Sequence, residues 1–131
     1  MAVTREIPLR MIMTETNRLF RVTPDRPSVA FALVRQQGLQ GELVIVTNNL
    51  MPLHDKCTPP YHFYEAWLMA PQEGITASVG VFNTDPEGKG LLLYRFDPAQ
   101  IQGFSPLLFR NLMITAEPQD GNPDPCTPVL R

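Results

Sequence analysis

The segment SVAFALVRQQGLQGELVIVTN (residues 28–48) contains two alternating runs of apolar residues, joined by a short link that includes two glycines. In the first run, every second residue from Val29 to Leu33 falls on one side of an extended chain, and the residues between them fall on the other side. Because two such runs on either side of a glycine-containing link are typical of a hairpin, residues 28–36 and 42–48 are predicted to form two antiparallel strands.

The same short period recurs along the rest of the chain. Further strands are predicted at residues 18–22, 62–70, 75–83, 91–96 and 107–118. With 14 prolines and 8 glycines in 131 residues, long helices are disfavoured and turns are frequent; one helical turn is predicted at residues 97–104. This pattern predicts an all-β fold, an antiparallel β-sandwich of about 7–8 strands with Greek-key-like connections.

The length is that of one domain. A chain of this size buries roughly two thirds of its extended surface, so a core without metals or disulfides is feasible. Residues 1–17 show no clear period and are expected to form an N-terminal arm, whereas residues 18–131 are expected to form the single sandwich domain.

The charge and hydropathy of the sequence argue against nucleic-acid binding and against a membrane span. The net charge is -2, so the chain lacks the basic footprint of a nucleic-acid-binding protein. Arg10 interrupts the only apolar stretch near the N-terminus, which argues against a signal peptide. The longest apolar runs are far below the ~20 residues needed to span a bilayer. As written the chain is expected to be cytoplasmic; as a fragment of a membrane-anchored protein it would be extracytoplasmic.

The segment HDKCTPPYH (residues 54–62) contains the residue types best suited to metal binding or catalysis. His54, Cys57 and His62 are metal-ligand types, and Asp55 or Cys126 would complete a set of four. Their spacing lacks the tight pairs of known zinc frameworks, so no metal and no other cofactor is predicted. Cys57 beside a histidine is also the one combination suited to nucleophilic catalysis.

The two cysteines have two open fates. Cys57 and Cys126 either form a disulfide, which requires an oxidising compartment, or remain free thiols. Cys126 lies in the closing segment TAEPQDGNPDPCTPVLR (residues 115–131), which contains four prolines and still ends on the apolar pair Val129 and Leu130. Because proline cannot donate to a strand ladder, this segment is expected at an edge of the sandwich.

The most aromatic segment lies around residues 61–67. Tyr61, Phe63 and Tyr64 are candidate partner-binding residues. Tyr64 and Trp67 are three positions apart, so on a strand their side chains point to opposite faces. We expect Trp67 to pack in the core.

Three segments together resemble a known family. YEAWLM (residues 64–69), ASVGVFNTDPEGKGLLLYRF (residues 77–96) and LMITAEPQDGNPDPCTPVL (residues 112–130) are similar, in this order, to the C-terminal domain of anti-sigma-K factors. The positions that carry the resemblance are Tyr64, Trp67, Leu68, Gly80, Phe82, Asp85, Gly88, Thr115, Glu117, Pro118, Gly121, Pro123, Pro125, Thr127 and Pro128.

This resemblance implies a non-enzymatic regulatory domain with a protein partner in a sigma or anti-sigma pathway. Full-length members resemble a three-part design with a zinc-containing sigma-binding domain, a membrane helix and this domain. The quoted residues match only the third part, so the sigma-inhibiting role is not expected of them. Binding is expected through a sheet face or an edge strand, with residues 125–130 taking part, and a homodimer is possible. The alternatives are a structural domain of the cell envelope and a small Cys/His hydrolase.

Overall fold

The computed structural model describes residues 9–37, 40–53, 61–70, 75–97, 111–118 and 127–131. Within these residues lie eight strands and one short 3₁₀ helix. The strands are β1 (Leu9–Thr14), β2 (Val29–Gln37), β3 (Gln40–Asn48), β4 (Phe63–Ala70), β5 (Ile75–Phe82), β6 (Gly90–Phe96), β7 (Leu112–Glu117) and β8 (Thr127–Leu130), and the 3₁₀ helix is Arg18–Phe20. No helix within the described ranges has the length and apolar character needed to cross a bilayer.

The strands form two antiparallel sheets. Sheet I has the order β1-β2-β3-β6, and sheet II has the order β5-β4-β7-β8. The chain leaves sheet I after β3, forms the β4–β5 pair of sheet II, and returns so that β6 pairs with β3. This return is a Greek-key-like connection. The predicted all-β architecture is confirmed, including the hairpin of β2 and β3, whose register runs from the Val29–Asn48 pair to the Gln37–Gln40 pair.

One side of the sandwich is closed by backbone hydrogen bonds between β8 and the end of β1. Thr14 and Arg131 exchange two N–H···O bonds of 2.7 and 2.9 Å, and the N–H of Thr16 donates to the carbonyl of Val129 at 3.0 Å. The strand β8 is also the outer strand of sheet II, where Pro128 lies opposite Thr115. Residues 127–131 of the closing segment therefore lie at an edge, as expected, and join the two sheets there.

The core lies between the sheets. Its largest fully buried side chains include Tyr64, Ile45, Ile114 and Leu130. Removing an aliphatic or aromatic side chain of this size from water stabilises the fold by about 1.5–3 kcal/mol. Since Val129 and Leu130 are fully buried, the apolar end of the proline-rich segment is part of this core.

Two expectations for the N-terminal part were wrong. Leu9–Thr14 is not arm but strand β1, paired with β2 over six residues, and it buries Met13. The alternation is short, and it is hard to recognise in the sequence because Ile12 on the outer side is apolar as well. Residues 18–22, expected as a strand, instead begin with the 3₁₀ helix, because the side chain of Asn17 accepts a hydrogen bond from the N–H of Leu19 at 3.0 Å and caps the turn.

Two polar side chains hold the connection from β1 to β2. The carboxylate of Glu15 accepts two hydrogen bonds from Arg21, at 2.7 and 2.9 Å, and one from the N–H of Ser28 at 2.9 Å. The buried amide of Asn49 exchanges hydrogen bonds with the backbone of Thr23 and donates to the carbonyl of Arg26. Because each of these groups is satisfied, a long connection is fixed without regular secondary structure.

Candidate protein-binding face

Two of the three candidate partner-binding aromatics lie in the core. Tyr64 is fully buried, and its hydroxyl donates a short hydrogen bond to the carbonyl of Met51. Tyr61 is buried as well, and its hydroxyl lies 2.7 Å from the hydroxyl of Thr127. Phe63 alone is half-buried. In this structure, therefore, the tyrosines hold the core together and do not present a surface to a partner.

Trp67 lies on the opposite face of sheet II from Tyr64, as its position in the strand predicts. It is buried but does not belong to the core between the sheets. Its indole N–H donates to the hydroxyl of Thr115 at 2.9 Å, and that hydroxyl donates to the carboxylate of Glu117 at 2.5 Å. Trp67 and Glu117, both expected as structural motif residues, are thus joined through one threonine in a buried polar chain.

Other residues of the predicted motif also have packing roles. Gly80 has a φ of 143°, and a Cβ there would lie 2.8 Å from Leu92 Cδ1 of the opposite sheet, so this close approach favours glycine. The ring of Phe82 packs 5.6 Å from that of Tyr64. Pro118 follows directly after β7 and is half-buried.

Several predicted residues lie outside the described residues. These are His54, Asp55, Cys57, Gly121, Pro125, Cys126, most of the predicted helical turn at residues 97–104, and the start of the strand expected at residues 107–118. The disulfide therefore stays a prediction. Among the described residues, no cluster of three or more His, Cys, Asp or Glu side chains is placed to hold a metal ion.

The outer face of sheet I carries the feature that the sequence analysis missed. The strand registers place four apolar residues side by side across all four strands, as Ile12–Phe31–Val46–Leu91. Their exposed fractions are 63%, 51%, 43% and 65%. These values are high for large apolar side chains in adjacent positions, so the row is a continuous apolar surface rather than a set of scattered residues.

A second row lies two residues further along each strand. Here Leu33 stands opposite Val44, and Val44 stands opposite Leu93, while Arg10 occupies the position on β1. Leu93 is 49% exposed, and the other two apolar residues are half-buried. We call the two rows together the outer apolar face; it comprises Ile12, Phe31, Leu33, Val44, Val46, Leu91 and Leu93.

Most of the exposed large apolar side chains of the described residues lie on the outer apolar face. Among the described residues, seven large apolar side chains are exposed, and five of them belong to the outer apolar face. The other two, Leu19 and Val81, lie on the 3₁₀ helix and on sheet II. An antiparallel sheet that met only water on its outer side would alternate apolar and polar residues, which these strands do not do.

Charged residues border the outer apolar face at one end. The next row along the strands is Arg35–Glu42–Arg95. Glu42 lies 3.0 Å from Arg35 and 3.9 Å from Arg95. An apolar centre with a charged rim is the usual composition of a protein-binding surface.

The face is also concave. A cavity of about 760 Å³ opens over β1, β2 and β3, and the described residues that line it are Arg10, Met11, Ile12, Phe31, Ala32, Leu33, Val44 and Val46. Arg10 is the charged residue among them, and it forms no ion pair with another described residue. We call this cavity the groove. Its volume is in the range of ligand-binding clefts, about 300–1,000 Å³.

Comparison with known proteins agrees with the fold and with the resemblance. Residues 9–129 match the family model described as anti-sigma-K factor rskA, C-terminal. Searches of the curated proteins and of the solved structures found no match. The matched segment begins at the first residue of β1 and ends within β8, so it includes all eight strands. On the strength of this match over nearly the whole length, the chain belongs to the family of anti-sigma-K factor C-terminal domains.

Proposed function

We propose that this chain is a non-enzymatic regulatory module that binds a protein partner of a sigma or anti-sigma pathway through the outer apolar face of sheet I. Membership of the family supports the regulatory role. The single observation that supports the location is the pair of apolar rows in register across four strands, with Phe31 near the centre. Burying side chains of this kind supplies about 25 cal/mol for each Å² of apolar surface.

The bonding of β8 favours a sheet face, and not the closing segment, as the surface that contacts the partner. Val129 of the outer strand β8 is bonded through its backbone to Thr16, Arg131 just after the strand is bonded to Thr14, and the last two residues of β8 are fully buried. Binding through residues 127–130 would require these bonds to break. Docking on the outer apolar face requires no change in the fold, because its side chains already face solvent.

The experiment is a comparison of RNA levels in the source organism. The chain is overproduced as the natural sequence, as Phe31→Glu, and as Val81→Glu. Val81 is a matched control because it is an apolar strand residue on sheet II with an exposed fraction of 55%, close to the 51% of Phe31. We expect transcripts of one shared promoter class to change with the natural chain and with the control, and to stay at the basal level with Phe31→Glu.

The proposal fails if no promoter class responds to the natural chain, or if Phe31→Glu acts as strongly as the natural chain while both accumulate to equal levels. The first result would remove the regulatory role. The second would leave that role in place and exclude the outer apolar face as its surface.

A further inference from the structure

The shape of the groove restricts what binds there. We propose, on the basis of the protein-binding function proposed above, that the occupant of the groove is an amphipathic α-helix of the partner, with a carboxylate that pairs with Arg10.

The geometry of the groove favours a convex occupant. A flat occupant, such as the face of another sheet, fits a flat surface, and an extended strand adds to a sheet edge rather than a face. A helix is a convex cylinder about 10 Å in diameter and fits a concave apolar surface. One helical turn occupies roughly 400 Å³ at this diameter and pitch. The groove, at about 760 Å³, is open on its solvent side, so it would receive one side of such a helix and not enclose it.

The second step is the spacing of the two apolar rows. Neighbouring strands lie about 4.8 Å apart, and the rows lie about 7 Å apart because they are separated by two strand residues. The apolar stripe of an amphipathic helix returns every turn, about 5.4 Å. Successive apolar residues of a helix would therefore meet successive side chains such as Ile12, Phe31 and Val46. Five of the eight described residues that line the groove are apolar residues of the outer apolar face, which suits such a stripe.

The third step is the charge of the lining. Arg10 belongs to the second row, directly opposite Leu33, and its side chain is exposed. No acidic residue is among the described residues that line the groove. A bound helix that covered the groove would partly remove Arg10 from water, and a glutamate or aspartate on the helix would offset that cost. At the end of the face, Glu42 pairs with both Arg35 and Arg95, and Arg10 is the cation among the described residues that line the groove itself.

The experiment uses two synthetic probes with the full chain. The acidic probe is a fluorescein-labelled peptide of about 18 residues, long enough to form a helix, with leucines at i, i+3, i+4 and i+7 and glutamates beside this stripe. The basic probe has lysine in place of each glutamate. Binding of each probe is titrated by fluorescence anisotropy against the natural chain, Arg10→Glu, Phe31→Glu and Val81→Glu.

We expect the acidic probe to bind the natural chain and Val81→Glu equally, and to bind Phe31→Glu at least about tenfold more weakly, the factor that corresponds to about 1.4 kcal/mol. We expect the charge preference to invert in Arg10→Glu, which should bind the basic probe better than the acidic one. This inversion is the decisive result, because a variant that failed to fold would lose both probes.

Three results would overturn the proposal. The first is equal binding of the two probes to the natural chain and to Arg10→Glu. The second is a dimer of the natural chain, seen by sedimentation velocity, that Phe31→Glu dissociates, since the occupant would then be a second copy. The third is binding to vesicles of phosphatidylcholine and phosphatidylglycerol that Phe31→Glu abolishes. If the probes behave as expected while RNA levels do not respond, the helix-binding chemistry of the groove stands and the regulatory role falls.

Discussion

Phe31 of β2 stands directly opposite Val46 of β3 on the solvent side of sheet I, and both side chains are about half exposed. Cross-strand apolar pairs stabilise a sheet by roughly 0.2–1 kcal/mol relative to alanine. That gain is small for two large apolar side chains, so stability alone does not account for their place on the surface. Their arrangement in a row with Ile12 and Leu91 is the observation that supports the proposed binding role.

The first prediction concerns the stability of this pair. Phe31→Thr combined with Val46→Thr should change the free energy of unfolding by less than about 1 kcal/mol, because threonine also favours strands and neither side chain belongs to the core. The same substitutions should lower the binding of a dye that reports exposed apolar surface. Urea unfolding and dye fluorescence give the two readouts. A loss of several kcal/mol would mean that another part of the chain covers this face.

The second prediction is that Tyr64 contributes to the stability of the core and not to a binding surface. Tyr64→Ala should destabilise the fold by about 3–5 kcal/mol, because it empties a large fully buried site. Tyr64→Phe keeps the ring and loses the hydrogen bond from the hydroxyl to the Met51 carbonyl, so it should cost about 1 kcal/mol. Chemical denaturation measures both variants. If Tyr64→Ala unfolded at the same urea concentration as the natural chain, the residue would not be part of the core.

The third prediction concerns Trp67 and its chain of hydrogen bonds. Trp67→Ala should cost about 3–5 kcal/mol even though the side chain lies outside the core between the sheets, because it is buried and bonded to Thr115. Thr115→Val should cost about 1–3 kcal/mol, because it leaves the buried indole N–H and the Glu117 carboxylate without this partner. Thermal unfolding followed by circular dichroism suits both variants, and a loss below about 1 kcal/mol for Trp67→Ala would contradict the assignment.

The fourth prediction is a pH dependence at Glu15. The hydrogen bonds from Arg21 lower the pKa of the Glu15 carboxyl below its ordinary value of 4.5, and the N–H of Ser28 acts in the same direction. The ionised form is therefore favoured in the folded state, so its contribution is fully present above the ordinary pKa and is lost as pH falls through the lowered pKa.

Glu15→Gln removes that contribution. The urea midpoints of Glu15→Gln and the natural chain should differ more at about pH 7 than at a pH below the lowered pKa of Glu15, where both side chains are neutral. Glu65→Gln is the control, because that carboxylate belongs to an exposed hydrogen bond with Ser78. An equal difference at the two pH values would show that the ionised Glu15 has no such role.

The sequence predicts the strands better than their faces. The alternation in β2 and β3 is strong, so the hairpin could be placed correctly. Strand β1 could not, because its alternation is short and Ile12 on the outer side is apolar as well, and the pairing with β2 supplies the stability that the local pattern lacks. The opposite orientation of Tyr64 and Trp67 followed from strand geometry, but the burial of Trp67 on the outer side of sheet II did not.

The outer apolar face escaped prediction for a physical reason. Both sides of β2 are apolar, with alanines at positions 30 and 32 on one side and large residues on the other. The structure places the small alanines in the core, where small residues leave space for large ones from the opposite sheet. Phe31 is thereby left outside. An apolar residue at every position from 29 to 34 was the signal that the outer side of β2 is not the polar face usual for an antiparallel strand.

The most direct test of the central claim is photo-cross-linking in living cells of the source organism. A photoreactive phenylalanine analogue is placed at position 31 of the outer apolar face or, in the control, at position 81 of sheet II, and cross-linked proteins are identified by mass spectrometry. If the outer apolar face binds the partner, we expect position 31 to capture a sigma factor or an anti-sigma subunit and position 81 to capture neither. Capture of such a protein at position 81 but not at position 31, or at neither position, would contradict it.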